Sequence, residues 1–337
     1  FKPEELTPTT KGKVESFITN CIDELGSEAL NLVGQQGGYI DVPADIMQDG
    51  SVHLKLAPGL VLPLWAYGET DNSQSMPRIT QRIDEHIENN LRSCLFQDEA
   101  FQETYDFVEK SSIVSTTDPI DSKTIFNVHW DIEIRNKAGE VVTELITFQI
   151  ESPVKLKQVH HVAKRIVQEE LDNFKLEDIT QDLIALEHPK VPVAGLEMSC
   201  SKKRWNVLEA KETLQDMLRV NVGQLRVQGT QFIEFPDSLP YYQNHYVWNI
   251  GEDLPQDVHV KFRYDNNFPF TFQVTPSSGS RMESSSFGGQ DLLSFICMQQ
   301  WKFTYDVTYP VLVTIQDDTG YDFNLAFSVN LVRNTPN

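Results

Sequence analysis

The sequence predicts an α+β protein built in three consecutive parts. These are a helix–hairpin–helix domain over residues 1–118 after a short stalk, an α+β domain over 119–230, and an antiparallel β-sandwich of immunoglobulin-like type over 231–337. Three observations carry this reading. From Phe303 to Ile315 every odd position is apolar and most even positions are polar, the period-two pattern of a strand with one dry and one wet face. Asp317-Asp318-Thr319-Gly320 has turn chemistry, and the alternation resumes from Tyr321 to Leu331, so the two runs make a hairpin. Upstream, several segments instead carry apolar stripes at three- and four-residue steps, the period of an amphipathic helix. A hairpin alone is marginal in water, so the remaining C-terminal third is expected to supply a second layer.

Taken in order, Val14, Phe17, Ile18, Cys21, Ile22, Leu25, Ala29, Leu32 and Val33 predict a helix over Lys13–Val33, ended by Gly37-Gly38. Val52, Leu54 and Leu56, then Pro58-Gly59, then Leu60, Leu62 and Leu64 predict a small hairpin. Ile79, Ile83, Ile87, Leu91, Cys94 and Leu95 predict a second helix from about Pro77 to Lys110, with a break near Gln97-Asp98. Ser111 to Ser122 reads as a polar linker. Alternation over Phe126–Ile134 and Val142–Ile150 predicts another hairpin, with Ile146 on its apolar face. Ser152-Pro153 opens a helix carrying Val159, Val162, Ala163, Ile166, Val167 and Leu171. Leu176–Leu186 predicts a short helix, Val191–Met198 a strand, and Asn206 with Glu209 a capping box for a further helix. A strand near Leu225–Val227 follows. From Phe232 the pattern is β, with Val258–Tyr264 and Phe268–Val274 alternating and Pro276–Gly289 forming a Ser- and Gly-rich loop.

At 337 residues the chain exceeds one compact core. Its net charge of −21 disfavours a phosphate backbone as partner and favours cationic ones. No run approaches the roughly 20 apolar residues of a membrane span. Phe1-Lys2-Pro3 and the polar residues to Thr10 read as a stalk, with any membrane attachment lying upstream of Phe1. No Asn-x-Ser/Thr sequon occurs, so heavy N-glycosylation is not expected. The four cysteines Cys21, Cys94, Cys200 and Cys297 form no CxxC pair; an even, widely spaced set fits two disulfides and an oxidising compartment, the alternative being four buried free thiols in a cytosolic protein. Cys21 and Cys94 both sit on inward helix stripes, so that pair is the first expectation. A Cys200–Cys297 bond would clamp the central and C-terminal domains together. Four cysteines allow three pairings, and spacing does not choose among them.

Motifs of chemistry are sparse. His160-His161 are adjacent on a helix and point about 100° apart, a poor metal pair and a better solvated face. His129 falls on the wet side of its strand. The acidic turn Asp317–Asp322 has carboxylates but no EF-hand register, so a plain hairpin turn is the better reading. Gly34–Gly38 follows a helix, not a strand, and is no phosphate cradle. Asp84, Glu85 and Glu88 read as a solvated helix face. Trp65 and Tyr67 offer an aromatic platform for a glycan or a partner, although the leucines before them favour a core position. No catalytic, cofactor-binding or metal-binding residue is nominated, and no cofactor is implied.

The sequence combines the inward-Cys helix, Gln36-Gly37-Gly38-Tyr39-Ile40, Pro63-Leu64-Trp65-Ala66-Tyr67-Gly68, the second helix ending in Cys94, and Tyr305-Asp306-Val307-Thr308-Tyr309-Pro310-Val311. In these the chain resembles uncharacterised cell-surface proteins of small-genome archaea over most of its length. The resemblance implies an N-terminal membrane anchor and an outward-facing ectodomain, and it names no catalytic residue. On the stalk-like start, the inward cysteines and the β-rich C-terminal part, the expected function is non-enzymatic: an extracellular, anchored surface protein that binds other surface proteins or itself, as an adhesin, a pilus or filament component, or an envelope lattice subunit. A glycan- or substrate-binding module is the alternative, and a hydrolase with an unfamiliar site is the third. Neither nucleic acid nor direct membrane contact by this chain is expected.

Overall fold

A computed structural model describes residues 8–97, 103–186, 188–236, 245–251, 254–286 and 297–336. The expected stalk falls mostly on residues 1–7, outside the described residues, as do 287–289 of the expected loop. The chain opens with α1 (Pro8–Gln35), α2 (Ala44–Gln48), β1 (His53–Ala57), β2 (Leu60–Tyr67), β3 (Thr70–Asp71) and α3 (Met76–Gln97). Next come β4 (Tyr105–Glu109), β5 (Val114–Pro119), β6 (Thr124–Asn136), β7 (Val141–Ser152), α4 (Leu156–Asn173) and α5 (Lys175–Ala185). They are followed by β8 (Ala194–Met198), β9 (Arg204–Asn206), α6 (Val207–Val222), β10 (Arg226–Val227), β11 (Val247–Trp248) and β12 (His259–Arg263). The chain closes with β13 (Thr271–Thr275), β14 (Arg281–Glu283), β15 (Ser285–Ser286), β16 (Met298–Lys302), β17 (Thr304–Gln316), β18 (Asp322–Val332) and β19 (Thr335–Pro336).

The protein is mixed α+β with several separate sheets. It divides into two compact units, each assembled from segments remote in sequence. One holds Phe1–Met47, Gln74–Val162 and Ile315–Asn324; the other holds Gln48–Ser73, Ala163–Thr314 and Leu325–Asn337. The three consecutive parts expected from the sequence do not coincide with these units, because strands find partners far along the chain. Alternation identifies a strand but not its neighbour.

In the first unit, β6 is the spine of a four-stranded antiparallel sheet, with β4 and β5 on one flank and β7 on the other. The apolar stripes of α1 and α3 pack together, and α1 also packs on β7. Val14, Ile18, Ile22, Ile79, Ile83, Ile87, Phe126 and Trp130 are all buried in this unit. Gly26 lets α1 approach closely, since a Cβ there would stand 2.5 Å from the Phe126 ring. Cys21 is bonded to Cys94, as the two inward stripes suggested.

Three expectations fail here for identifiable reasons. The helix expected to reach Lys110 ends at Gln97; residues 98–102 lie outside the described residues, and Tyr105–Glu109 pairs with the second half of β6. The expected linker contains β5, paired with the first half of β6. Its inward side chains, Ser115 and Thr117, are polar, and that hid the strand from a hydrophobicity pattern. They bond instead to α3: Ser115 N–H donates to Glu88 Oε1 at 2.8 Å, and Thr117 Oγ1 donates to Asp84 Oδ1 at 2.7 Å. Asp84 and Glu88 are therefore structural acceptors, not a solvated face, and burial pushes the Asp84 carboxyl above its usual range. Finally, a bulge in β6 between His129 and Ile132 shifts the register against β7. Leu145 faces in, and Ile146 is left exposed.

In the second unit, one mixed sheet runs β1-β2-β18-β17-β12, with β13 also on β17 and β3 on β2. The expected C-terminal hairpin is present, but its outer neighbour β2 comes from residues 60–67 and runs parallel to β18. The second layer expected from the C-terminal third is supplied in part by α5. Thr180 and Tyr309 share a hydroxyl–hydroxyl hydrogen bond of 2.7 Å, and Asn330 N–H donates to Glu177 Oε1 at 2.9 Å. The Asn206 side chain caps α6 by accepting from Leu208 N–H and Glu209 N–H.

Candidate binding site

The most exposed apolar strand of the second unit is β8. It pairs antiparallel with β16 from Met198↔Met298 to Ala194↔Lys302. Cys200 and Cys297 lie just beyond the Met198–Met298 end of this ladder and are bonded to each other. Both cysteines belong to the same unit, so this bond closes a strand pair and does not clamp two domains. The other edge of β8 carries no strand among the described residues. Alternation along β8 turns Ala194, Leu196 and Met198 to solvent; Leu196 is 56% exposed and Met198 82%. An uncovered apolar edge strand is a recognised pairing surface.

An open cleft of about 550 Å³ lies against the same ladder. Ala194, Gly195 and Leu196 line it from β8, and Gln300, Trp301 and Lys302 from β16, with Pro276, Glu283, Ser285 and Phe303 completing the wall. Gly195 has a specific purpose, since a Cβ there would overlap the Trp301 indole. Trp301 in turn tilts against Trp205 at 5.3 Å between ring centroids, and Trp205 meets Phe303 edge-on at 5.6 Å. The Lys203 ammonium sits 5.0 Å from the centre of the Trp301 ring and pairs with Glu197. Arg204 binds Glu283 at 3.0 Å. Buried Ser284 fixes the floor by donating to Gln299 Oε1 and accepting from Lys203 N–H. Lys202-Lys203-Arg204 is the one run of three consecutive cations in a chain of net charge −21.

The residues singled out in the sequence are scattered. Trp65 is fully buried in β2 and offers no platform, whereas Tyr67 at the strand end is 44% exposed; the pair does not make an aromatic surface. His160 is not on a wet face: it is buried, its Nε2 lies 2.7 Å from the Gln74 carbonyl, and its ring meets Phe323 edge-on. His161 and His129 are exposed. The Asp317 carboxylate is already committed. Its Oδ1 accepts from Thr319 N–H, Thr319 Oγ1 and Tyr321 N–H, and its Oδ2 accepts from Lys155 N–H. Gly37 and Gly38, with φ of 62° and 91°, end α1 in left-handed turns. No cluster of three metal-ligating side chains occurs among the described residues.

Sequence reasoning missed the β8–β16 ladder as a site. One signal was present, a glycine inside a short strand, which marks close approach of another group. No family model, no curated protein and no solved structure matches the chain.

Proposed function

We propose that this is an extracellular surface protein, held to a membrane by a segment outside this chain, that acts by assembly and performs no catalysis. One observation carries the reading: a disulfide locks the end of a strand pair whose open edge presents Leu196 and Met198 to water. The occupant we infer is a strand of a second copy added along β8, where main-chain hydrogen bonds give affinity and alternate side chains give register. Lys202, Lys203 and Arg204 beside β8 pair with Glu283 and Glu197 of the same chain, so at this edge they offset locally the general repulsion of a molecule of net charge −21. Two disulfides fit an oxidising compartment. Among the described residues no helix is long and apolar enough to cross a membrane.

Sedimentation over a wide concentration range tests this. Self-association that Leu196→Lys with Met198→Lys abolishes is expected; a strict monomer throughout overturns the assembly reading. A second reading, a glycan-binding module, draws on the cleft beside Trp301 with Gln300, Ser285 and Glu283 as hydrogen-bonding groups. Saturable binding on a glycan array, lost in Trp301→Ala, would favour it.

A further inference from the structure

We propose that Glu170 and Glu177 hold one proton between them and that this shared proton is a latch joining the α4–α5 corner to the sheet, closed in acid and released by base. The latch is independent of the binding edge.

The geometry is that of two carboxyl groups placed together without a cation. Glu170 lies near the end of α4, and Glu177 in the first turn of α5; they are 5% and 3% exposed. The chain between them turns at Phe174 with φ 50°, a strained left-handed conformation for a side chain of that size. Glu170 Oε2 accepts from Leu176 N–H at 3.3 Å, and Glu177 Oε1 accepts from Asn330 N–H at 2.9 Å on β18. The second oxygen of Glu177 is buried and receives no donor from any nitrogen or hydroxyl among the described residues. Neither carboxyl makes an ion pair among them.

A carboxylate oxygen in that position needs a donor. The neighbouring Glu170 supplies one if it keeps its proton: its carbonyl oxygen accepts from the α5 amide, and its O–H donates to Glu177. Two ionised carboxyls side by side in the interior would repel each other with little screening. The other groups that act on the pair are also acids: Asp178 on α5, and the buried Tyr309 hydroxyl on β17. Burial, reinforced by Glu177, accordingly holds the Glu170 proton well above the usual carboxyl range.

The sign follows. The folded state binds a proton that the unfolded chain releases near the ordinary glutamate value of about 4.3. Burial raises the Glu177 carboxyl too, so in acid the pair takes up a second proton and the Glu170–Glu177 hydrogen bond persists; the latch is lost as pH rises through the raised Glu170 value. Its loss strands a second charge beneath α5 and pushes the helix from Asn330.

The test uses the full chain with carbon-13-labelled glutamate side chains. One glutamate carboxyl whose midpoint lies above about pH 5, outside the ordinary range, and which is absent in Glu170→Gln, is expected. Protection of the Asn330 amide from exchange, corrected for base catalysis, should fall roughly tenfold more with alkalinity in the wild type than in Glu170→Gln, one tenfold step per unit of pKa difference. In the variant a neutral amide donates to Glu177 at every pH. If every glutamate carboxyl titrates below about pH 5, or if the variant loses protection in parallel with the wild type, the latch is overturned. Should Glu170→Gln fail to fold, the wild-type carboxyl titration decides alone.

Discussion

Single side chains in this protein set long-range connections that a pattern of hydrophobicity does not register. Asp317 is the clearest case. Its carboxylate accepts four hydrogen bonds and is 4% exposed, so it anchors both the hairpin turn and the backbone of Lys155. Asp317→Ala removes the acceptor and leaves buried N–H groups unpaired. We expect a loss of about 2–4 kcal/mol, read from denaturant unfolding. Glu133 behaves oppositely to Glu170. It accepts from Lys110 at 2.8 Å and Arg135 at 2.5 Å, which bring its pKa down to about 2. Its contribution is present above the ordinary glutamate range and is lost as pH falls through about 2. A carbon-13 titration should place the Glu133 midpoint there, and Lys110→Met should raise it. Stability as a function of pH is thus limited in acid by pairs such as this one and in base by the Glu170 proton.

At the scale of elements, two covalent links and one glycine hold segments that secondary structure alone would leave loose. The Cys21–Cys94 bond closes a separation of 73 residues between α1 and α3. Constraint of the unfolded chain over a loop of that length is worth about 4 kcal/mol. The paired Cys21→Ser and Cys94→Ser variant should therefore lose about that much in the unfolding transition of its unit. Gly195→Ala tests the binding ladder: its methyl must displace the Trp301 indole. Because both residues line an open cleft, the ring can swing aside, so the cost should lie at the low end of overpacking, about 1 kcal/mol, and the tryptophan near-ultraviolet dichroism should change with it. An unaltered tryptophan signal would show that the ring is not seated on β8. The elements themselves were largely legible. The helices around Cys21, Cys94 and Val159 and the terminal hairpin follow from spacing, because each has a continuous apolar stripe. β4 and β5 were not, because β5 satisfies its inward positions with Ser115 and Thr117 against carboxylates on α3.

Across the whole molecule, charge decides how copies meet. A net −21 opposes association at low salt, and the Lys202–Arg204 run, paired with Glu197 and Glu283, keeps the β8 edge locally near neutral. The screening length is about 8 Å near physiological ionic strength. Added salt should strengthen self-association by removing the general repulsion. Sedimentation across a salt series should show that rise, and Lys202→Glu with Lys203→Glu, which adds unpaired negative charge beside β8, should steepen it. From the residues alone came the mixed class, most helices, the hairpin, an acidic character unsuited to nucleic acid, and the two inward cysteines, because each depends on local periodicity or composition. Only the folded chain decided that residues 60–67 run beside 322–332, that Cys200 and Cys297 close one strand pair, that Trp65 is buried while Leu196 and Met198 are not, and that two glutamates seven positions apart face each other. Those outcomes depend on which distant surfaces meet, and a one-dimensional pattern records which face of a segment is apolar but not what will cover it.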